Sequence, residues 1–427
     1  VAFCVKKIVH VRFFLFLFGR FMQINDLEQI MGLHPEVDVL SQEISKKGNK
    51  HFLLSGLYAS ARGMILAALH SRLKQKGEAP LMLIVMDNAD DAQYMYADIK
   101  TLTQAQDVYY FPNSHRRRQG KDEAMAVLRT EVLSALLNTM RSLEDASLQD
   151  GSKTAYSLKA RPIIITYPEA LAESVPQPQS LQGKTISLSV GEEIAISQLT
   201  EMLLELDFKR VDFVYEPGQF AIRGGIVDVY SYACDTPVRI DFFGDEIDSI
   251  REFELETQLS QNKVDMVSIV ASSSDEQSMT DITAYLPPKT LWICNDFGLA
   301  NYKIRSTITE FDAAVILQAM EAASTIELNQ KSTYTTHSQV AFDTLPQPIF
   351  NKNFDLLIDD LQQRTKDGYR IYILADQAKQ TDRLKAIFDD KESGIEFVAV
   401  DHALHEGFID HSAKVCCYTD HQIFERY

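Results

Sequence analysis

The sequence predicts an α/β protein: a doubly wound P-loop-like domain, an inserted α+β antiparallel module and a small third α/β domain. From His51 onward, short apolar runs alternate with helical stretches, which is typical of βαβ units and a parallel sheet. After Pro176-Gln177-Pro178, closely spaced period-2 segments separated by turn residues predict an antiparallel meander. After Pro346-Gln347-Pro348 the alternation of helix and strand returns.

The first predicted domain comprises residues 22–175 together with residues 263–345. Its apolar runs predict strands, and the periodic stretches between them predict helices. The strands are expected at 52–55, 81–86, 108–111 and 162–166, and the helices at 61–76, 90–102 and 122–140. The apolar run 290–294 lies beyond the module, and we expect it to rejoin the same sheet.

The module is predicted to span residues 176–262, and the third domain residues 349–427. In the module, a helix at 197–206 precedes alternating segments at 210–215, 225–230, 238–243 and 246–253. In the third domain, helices are expected at 353–365 and 379–388, and strands at 369–375, 396–400 and 415–418. The chain stops just after the last of these strands without a closing element, which indicates an incomplete domain.

Composition restricts the function. The chain has 427 residues, 45% of them hydrophobic, so it can bury a large core. Its formal net charge of -18 disfavours broad contact with nucleic-acid phosphates. The five cysteines have neither metal-ligand spacing nor the density of a disulfide framework, which favours a cytoplasmic location. The histidines form no metal or catalytic constellation, so we predict no metal site and no catalytic residues.

Residues 1–21 read as a separate leader. They carry cations, no acid and a short apolar run at 13–18, as an export signal does, but no small-residue cleavage site follows. The run is also far shorter than the roughly 20 apolar residues of a membrane span. We interpret these residues as non-native or disordered, with an export signal as the alternative.

The loop Gly56–Met64 stands between a predicted strand and a predicted helix, where a P-loop belongs. A P-loop ends in glycine, a lysine for the β- and γ-phosphates, and a serine or threonine for magnesium. Gly56 matches the first glycine, but Ala61, Arg62 and Gly63 occupy those last three positions. The spacing therefore predicts a degenerate nucleotide loop that does not support ATP hydrolysis, although Arg62 is placed to attract an anion.

Three other strings are weaker candidates. Gly183-Lys184-Thr185 has no leading glycine and is followed by a strand-like stretch, so it is interpreted as a turn. Arg116-Arg117-Arg118 is interpreted as a solvated loop rather than a phosphate contact. The apolar strand before Asn295-Asp296 ends where a nucleotide hydrolase needs Asp-Glu to hold magnesium. It is either a degenerate magnesium strand or an unrelated core strand.

The meander carries the most informative side chains. Along 238–243, alternation places Val238, Ile240 and Phe242 on one face, and Arg239, Asp241 and Phe243 on the other. The first set is expected to face the core. The exposed set, with Arg223 from a neighbouring strand, has the composition of a protein-binding hot spot. In the alternative, the arginines pair with Asp228, Asp241 or Asp248 on a solvated sheet.

Two consecutive motifs carry a family resemblance: Gly218-Gln-Phe-Ala-Ile-Arg-Gly-Gly-Ile-Val-Asp228 and Pro237-Val-Arg-Ile-Asp-Phe-Phe-Gly-Asp-Glu-Ile-Asp-Ser-Ile-Arg251. They resemble the UvrA-binding module shared by UvrB and the bacterial transcription-repair coupling factors. The degenerate loop and the strand before Asn295-Asp296 are more similar to a coupling factor, because UvrB keeps an intact P-loop. The resemblance extends over nearly all of residues 22–427.

The resemblance implies a UvrB-like body that has lost nucleotide binding. It implies that Arg223, Arg239, Phe243 and Arg251 contact UvrA, so that this part of the protein recruits UvrA in nucleotide excision repair and helps to autoinhibit a larger motor. It further implies that RNA polymerase, double-stranded DNA, ATP and magnesium are bound by domains beyond residue 427, and that no cofactor is bound here. The rival hypothesis is a DNA-dependent ATPase of the UvrB class with an unconventional P-loop.

Overall fold

A computed structural model describes residues 22–425, apart from positions 33, 47, 49, 78, 104–106, 115–122, 149–160, 183–184, 233, 235, 272–278 and 309–311. The leader at 1–21, the Arg116–Arg118 triplet and the Gly183-Lys184 pair therefore lie outside the described residues.

A parallel sheet forms the centre of the first domain and confirms the α/β class. Neighbouring strands run in the same direction throughout. Their spatial order is Ser338–Ala341, His51–Ser55, Ser324–Glu327, Leu291–Cys294, Met82–Val85, Ile163–Thr166, Val108–Tyr110. Leu291–Cys294 lies between Ser324–Glu327 and Met82–Val85, so the expected return of the chain to this sheet is confirmed. The inner strands are buried on both faces, which explains their continuous apolar sequences.

Helices pack around this sheet. They are Ile24–Met31, Pro35–Ser45, Ala61–Gln75, Ala89–Thr103, Glu123–Leu148, Pro168–Leu171, Phe297–Thr307 and Ala313–Ala322, with a 3₁₀ turn at Ile282–Tyr285 and a small ladder between Val175–Pro176 and Met279–Thr280. The first two helices were not predicted. Their signal is nevertheless in the sequence, because Ile24, Leu27 and Met31 follow helical spacing and are buried.

The inserted module is built on a second, largely antiparallel sheet. Its spatial order is Ser260–Val264, Glu246–Phe253, Val238–Phe243, Ile226–Tyr230, Gln219–Arg223, Lys209–Arg210, and the last pair is parallel. One face is covered by the helix Ile196–Glu205 and by the hairpin-like pair Thr185–Ser189 and Met266–Val270. A short helix, Pro178–Gln182, precedes the module.

The strand predicted at 210–215 is wrong for most of its length. Only Lys209–Arg210 joins the sheet, and Gln219–Arg223 is an additional strand. The segment between them leaves the sheet edge because Val214 buries its side chain in a small cluster with Ala221, Tyr230 and Phe253. Apolar packing on the second face of the sheet therefore outweighs continued strand pairing here.

The third domain contains a mixed sheet. Its spatial order is Thr344–Pro346, Phe408–Asp410, Val415–Thr419, Arg370–Leu374, Val398–Val400, with the helices Phe354–Lys366 and Ala378–Asp390 alongside. One helix after the last strand was not predicted. A short helix, Asp420–Phe424, follows the last strand and buries Ile423 in the domain core.

The third domain packs directly against the first. Met22 pairs with Val400 at the edge of the third-domain sheet, and the amide of Ile24 donates to Asp401 Oδ1 over 2.9 Å. Leu374 and Phe408 belong to the same apolar core as the parallel sheet.

Candidate partner-binding face

The second sheet has one apolar and one charged face. Val238 and Ile240 are buried against the module's core, as predicted, and Phe242 packs partly against it. Side chains alternate along a strand, so Arg239 and Asp241 lie on the opposite side. We call that side, which carries Arg223, Asp228, Arg239, Asp241 and Arg251, the arginine face.

Strand register aligns charged residues across the arginine face. Arg239 lies opposite Asp228 on one neighbouring strand and opposite Arg251 on the other, and Arg251 lies opposite Lys263. Cations directly opposite one another repel each other in a sheet. The row is therefore positively charged in a chain whose net charge is -18.

Asp228 is the carboxylate at the centre of this face. Its residue is fully buried, and Arg239 donates to it with two nitrogens, Nε to Oδ1 over 2.7 Å and Nη2 to Oδ2 over 3.0 Å. Nη2 of Arg223 also donates to Oδ2. The bonds to Asp228 raise the pKa of Arg239 above its ordinary value, against the opposing effect of burial. Two arginines thus donate charge-assisted hydrogen bonds to a single carboxylate.

Arg239 is held by further contacts. Its Nη1 donates to the carbonyl of Gln258 over 3.1 Å and approaches Ser260 Oγ at 3.4 Å, while its guanidinium lies 4.7 Å from the centre of the Phe253 ring. Only 16% of its side chain is exposed. Arg239 therefore mainly holds Asp228 and the Gln258 loop in place, and little of its side chain is open to a partner.

Arg223 and Arg251 are more accessible. The exposed fractions of their side chains are 37% and 36%. Arg251 approaches Asp241 only loosely, at 3.6 Å, while Ser249 Oγ donates to the same Asp241 oxygen over 2.8 Å. The internal pairing foreseen in the alternative interpretation thus exists for Asp228 and Asp241. Asp248 is exposed and forms none of the ion pairs that the described residues make with these arginines.

Phe243 is the exposed aromatic of this region. Phe242 faces the core, so Phe243 at the end of the strand turns toward the arginine face, and it is 82% exposed. An aromatic ring left in water at a hairpin end contributes little to the fold and offers apolar area to a partner.

Two further apolar side chains border the arginine face and were missed in the sequence. Phe213 is half exposed, and its ring centre lies 5.1 Å from the guanidinium of Arg223. Leu259 is 67% exposed and stands between Gln258 and Ser260, the two residues that bind Arg239. Phe213 lies within the segment predicted as a strand at 210–215, and Leu259 lies outside the alternating segments, so neither was marked as part of this face.

The degenerate nucleotide loop is packed against another part of the chain. Gly56 adopts a φ of +77°, and a Cβ there would lie 1.9 Å from the carbonyl oxygen of Phe342. Thr344 donates to the carbonyl of Gly56 through its amide and its hydroxyl, and the amide of Tyr58 donates to Thr344 Oγ1 over 3.0 Å. Contacts with Thr344 therefore tie this loop to a distant segment and occupy the Tyr58 amide, a donor of the kind that would face phosphate in a working loop.

The signature positions of that loop are also engaged. The amides of Ala61 and Arg62 donate to the carbonyls of Tyr58 and Ala59, and Arg62 Nε donates to Leu57 over 3.1 Å. At Gly63, where magnesium would need a hydroxyl, an added Cβ would lie 3.4 Å from the Cβ of Asp98. The helix Ala89–Thr103 thus packs directly against this position.

A loop of the third domain covers the start of the helix that follows. The amide of Glu406 donates to Ser60 Oγ over 2.9 Å, and the amide of His405 donates to Asp98 Oδ1 over 2.7 Å. The His405 ring stacks on Tyr94 with centres 3.5 Å apart. Burial raises the pKa of Asp98 to about 7.

The end of the strand Leu291–Cys294 carries structural contacts. Asp296 accepts from the amide of Leu299 and caps the helix Phe297–Thr307. Asn295 donates to Asp87 over 3.3 Å, and burial raises the pKa of Asp87. Among the described residues, no three His, Cys, Asp or Glu side chains gather as a metal site would require. None of the described helices is long and apolar enough to cross a membrane.

Comparison with known proteins agrees with this geometry. Residues 186–274, which include the whole arginine face, match the UvrB interaction domain family. The transcription-repair-coupling factor of Bacillus subtilis strain 168 is 29% identical over 223 residues, 52% of this chain and 17% of that protein. Those of Staphylococcus aureus strain USA300 and Staphylococcus haemolyticus are 26% and 27% identical over 226 residues, 53% of this chain and 17% of each relative.

The matched segment is thus about half of this chain and a small part of relatives that are much longer. The family match falls on the inserted module, and the three relatives are all described as transcription-repair-coupling factors. The chain is therefore similar to transcription-repair-coupling factors over about half of its length, and its residues 186–274 match the UvrB interaction domain family.

Proposed function

We propose that this chain is a non-catalytic adaptor that recruits UvrA through the arginine face and Phe243 during transcription-coupled nucleotide excision repair. One observation carries the proposal: accessible cations and an 82% exposed phenylalanine lie together on the segment that matches the UvrB interaction domain. Arginines and aromatic rings dominate the binding energy of protein interfaces, and buried charge-assisted contacts to carboxylates add direction.

The roles of the side chains differ. Arg223 and Arg251 keep donors in reach of solvent and are proposed to bind acidic groups of UvrA, with Phe243 supplying apolar contact area. Arg239 contributes mainly by holding Asp228 and the neighbouring loop, and a contact with UvrA through its remaining Nη2 proton is a smaller part of its role.

The packed nucleotide loop supports a role without hydrolysis, and we propose that this chain binds neither ATP nor another cofactor. The relatives are much longer than the matched segment. In a protein of that length, we further propose that this part helps to restrain a motor that uses ATP and magnesium. Contacts with RNA polymerase and double-stranded DNA are assigned to other parts of that protein.

Calorimetric titration of this chain with purified UvrA tests the proposal. Arg223→Ala, Arg251→Ala and Phe243→Ala are each expected to weaken binding by about 1–3 kcal/mol. The matched control is Asp248→Asn, which changes charge on the same hairpin at an exposed residue that pairs with none of these arginines, and it is expected to leave the affinity nearly unchanged. Thermal unfolding of each variant separates loss of binding from loss of fold. Wild-type affinity in a folded Arg223→Ala/Arg251→Ala/Phe243→Ala variant would refute the proposal.

A further inference from the structure

We propose that Asp228 is a positioning residue of the UvrA-binding face: it does not touch the partner, but it sets the directions of the Arg223 and Arg239 guanidiniums. This inference rests on the proposed function. It concerns a residue that the sequence presented only as a carboxylate able to neutralise an arginine.

The burial and geometry of Asp228 carry the inference. The residue has no exposed surface, so its oxygens cannot reach a partner. Both oxygens accept from Arg239 in a two-point contact, and Oδ2 also accepts from Arg223. A two-point contact fixes the plane of a guanidinium, whereas a single contact fixes only its position.

The surroundings of the two arginines indicate which one transmits the effect to the surface. Arg239 is enclosed by Phe253, Gln258 and Ser260. Arg223 has only Asp228 as a charged partner among the described residues, together with the half-exposed ring of Phe213. Without Asp228, Arg223 would lose its charged contact and with it the hydrogen bond that holds its guanidinium in place, and binding would have to order the side chain again.

A positioning role for Asp228 and a simple effect of net charge predict opposite changes in UvrA affinity. Glu246 lies opposite Phe243 on this side of the sheet, together with the cations Arg223, Arg239, Arg251 and Lys263 and the carboxylates Asp228 and Asp241. If net positive charge alone attracted UvrA, removal of either carboxylate charge would tighten binding. If Asp228 positions the arginines, removal of its charge weakens binding although the face becomes more positive.

The test compares Asp228→Asn with Asp241→Asn. The two substitutions are isosteric, remove the same charge and lie on the same face, but Asp241 has a single loose arginine partner at 3.6 Å. Titration with UvrA is expected to show at least about tenfold weaker binding for Asp228→Asn, and equal or tighter binding for Asp241→Asn.

A double-mutant cycle separates positioning from a general structural role. In an Arg223→Ala background, Asp228→Asn is expected to cause much less additional loss of UvrA affinity than in the wild type, because the side chain that it orients has been removed. Circular dichroism and thermal unfolding identify variants that fail to fold. If Asp228→Asn is among them, Asp228→Glu, which keeps the charge but displaces it by one methylene, is expected to fold and to bind more weakly.

The outcomes distinguish this inference from the proposed function. If wild-type protein does not bind UvrA, the proposed function is overturned and this inference with it. If wild-type protein binds and folded Asp228→Asn, or folded Asp228→Glu in its place, binds equally well or more tightly, only the positioning role is overturned. Full additivity with Arg223→Ala also contradicts that role.

Discussion

At the scale of single residues, Gly56 shows how the loop before the helix Ala61–Gln75 is packed into the scaffold. Its φ of +77° is available to glycine at little cost, and the carbonyl of Phe342 occupies the space where a side chain would begin. The glycine thus allows the strand Ser338–Ala341 and the segment after it to approach the loop. The positive φ of Gly56 is compatible with the turn of a P-loop, but its neighbours are backbone atoms of Phe342 rather than open space for a phosphate.

Substitution of Gly56 by alanine is expected to destabilise the protein strongly. The left-handed conformation alone costs about 1–2 kcal/mol for a residue with a Cβ, and the contact with backbone adds to that cost. Gly191→Ala is the matched control, because Gly191 has a similar φ of +82° but open space around its Cβ position. Urea unfolding is expected to show a clearly larger loss for Gly56→Ala, and equal losses would contradict close packing at this loop.

At the scale of elements, two helices of the third domain differ in whether a side chain caps their first turn. Asn353 accepts hydrogen bonds from the amides of Asp355 and Leu356 at the start of Phe354–Lys366. Gln377 precedes Ala378–Asp390 and makes no such bond. Both helices cover the third-domain sheet, so the two positions differ mainly in capping.

Asn353→Ala is therefore expected to lower the free energy of unfolding by about 1 kcal/mol, because two helix amides lose their acceptor. Gln377→Ala is expected to change it by no more than a few tenths of a kcal/mol. Chemical denaturation followed by helical circular dichroism measures both. Similar effects of the two substitutions would show that the Asn353 cap contributes nothing specific.

At the scale of the whole molecule, the third domain and the first domain meet at Asp98. This carboxyl is buried in the contact between the helix Ala89–Thr103 and the loop that contains His405 and Glu406. Ser60, at the end of the degenerate nucleotide loop, binds the same loop. The loop that precedes the helix Ala61–Gln75 therefore takes part in the contact between the two domains.

The buried Asp98 predicts a pH-dependent stability. Burial raises its pKa from 3.8 to about 7, so the folded protein holds this proton where the unfolded chain has released it. Stability from this group is fully present below about pH 4 and is lost as the pH rises through 7. Asp98→Asn is expected to flatten the fall in unfolding free energy between pH 5 and pH 8. Asp90→Asn, an exposed change on the same helix, is expected to leave the slope unchanged.

Because the loop Gly56–Met64 is packed against Phe342 and Thr344, we expect titration with Mg-ATP to release no heat and DNA not to stimulate phosphate release. The amides of Tyr58, Ala61 and Arg62 are already bonded to Thr344, Tyr58 and Ala59 respectively. Saturable binding that Arg62→Ala weakens, together with DNA-stimulated hydrolysis, would instead support the UvrB-class ATPase.

Sequence alone was sufficient for the classes of elements and for their apolar faces. Alternation separated Ile240 from Arg239, and runs such as Met82–Val85 predicted buried parallel strands, because these signals depend on neighbours in the chain. It failed for 210–215, where the burial of Val214 against a distant Phe253 decides the path.

Motif positions were likewise readable, since Gly56, Ala61, Arg62 and Gly63 show which P-loop groups are replaced. What replaced them was decided by tertiary structure: Phe342 and Thr344 come from almost 290 residues further along the chain. The same holds for the arginine face. The sequence determined that Arg239 and Phe243 would lie on the side of the sheet opposite the core, but only the register of the sheet placed Asp228 beside two arginines, because ion pairing between strands depends on alignment that no local pattern specifies.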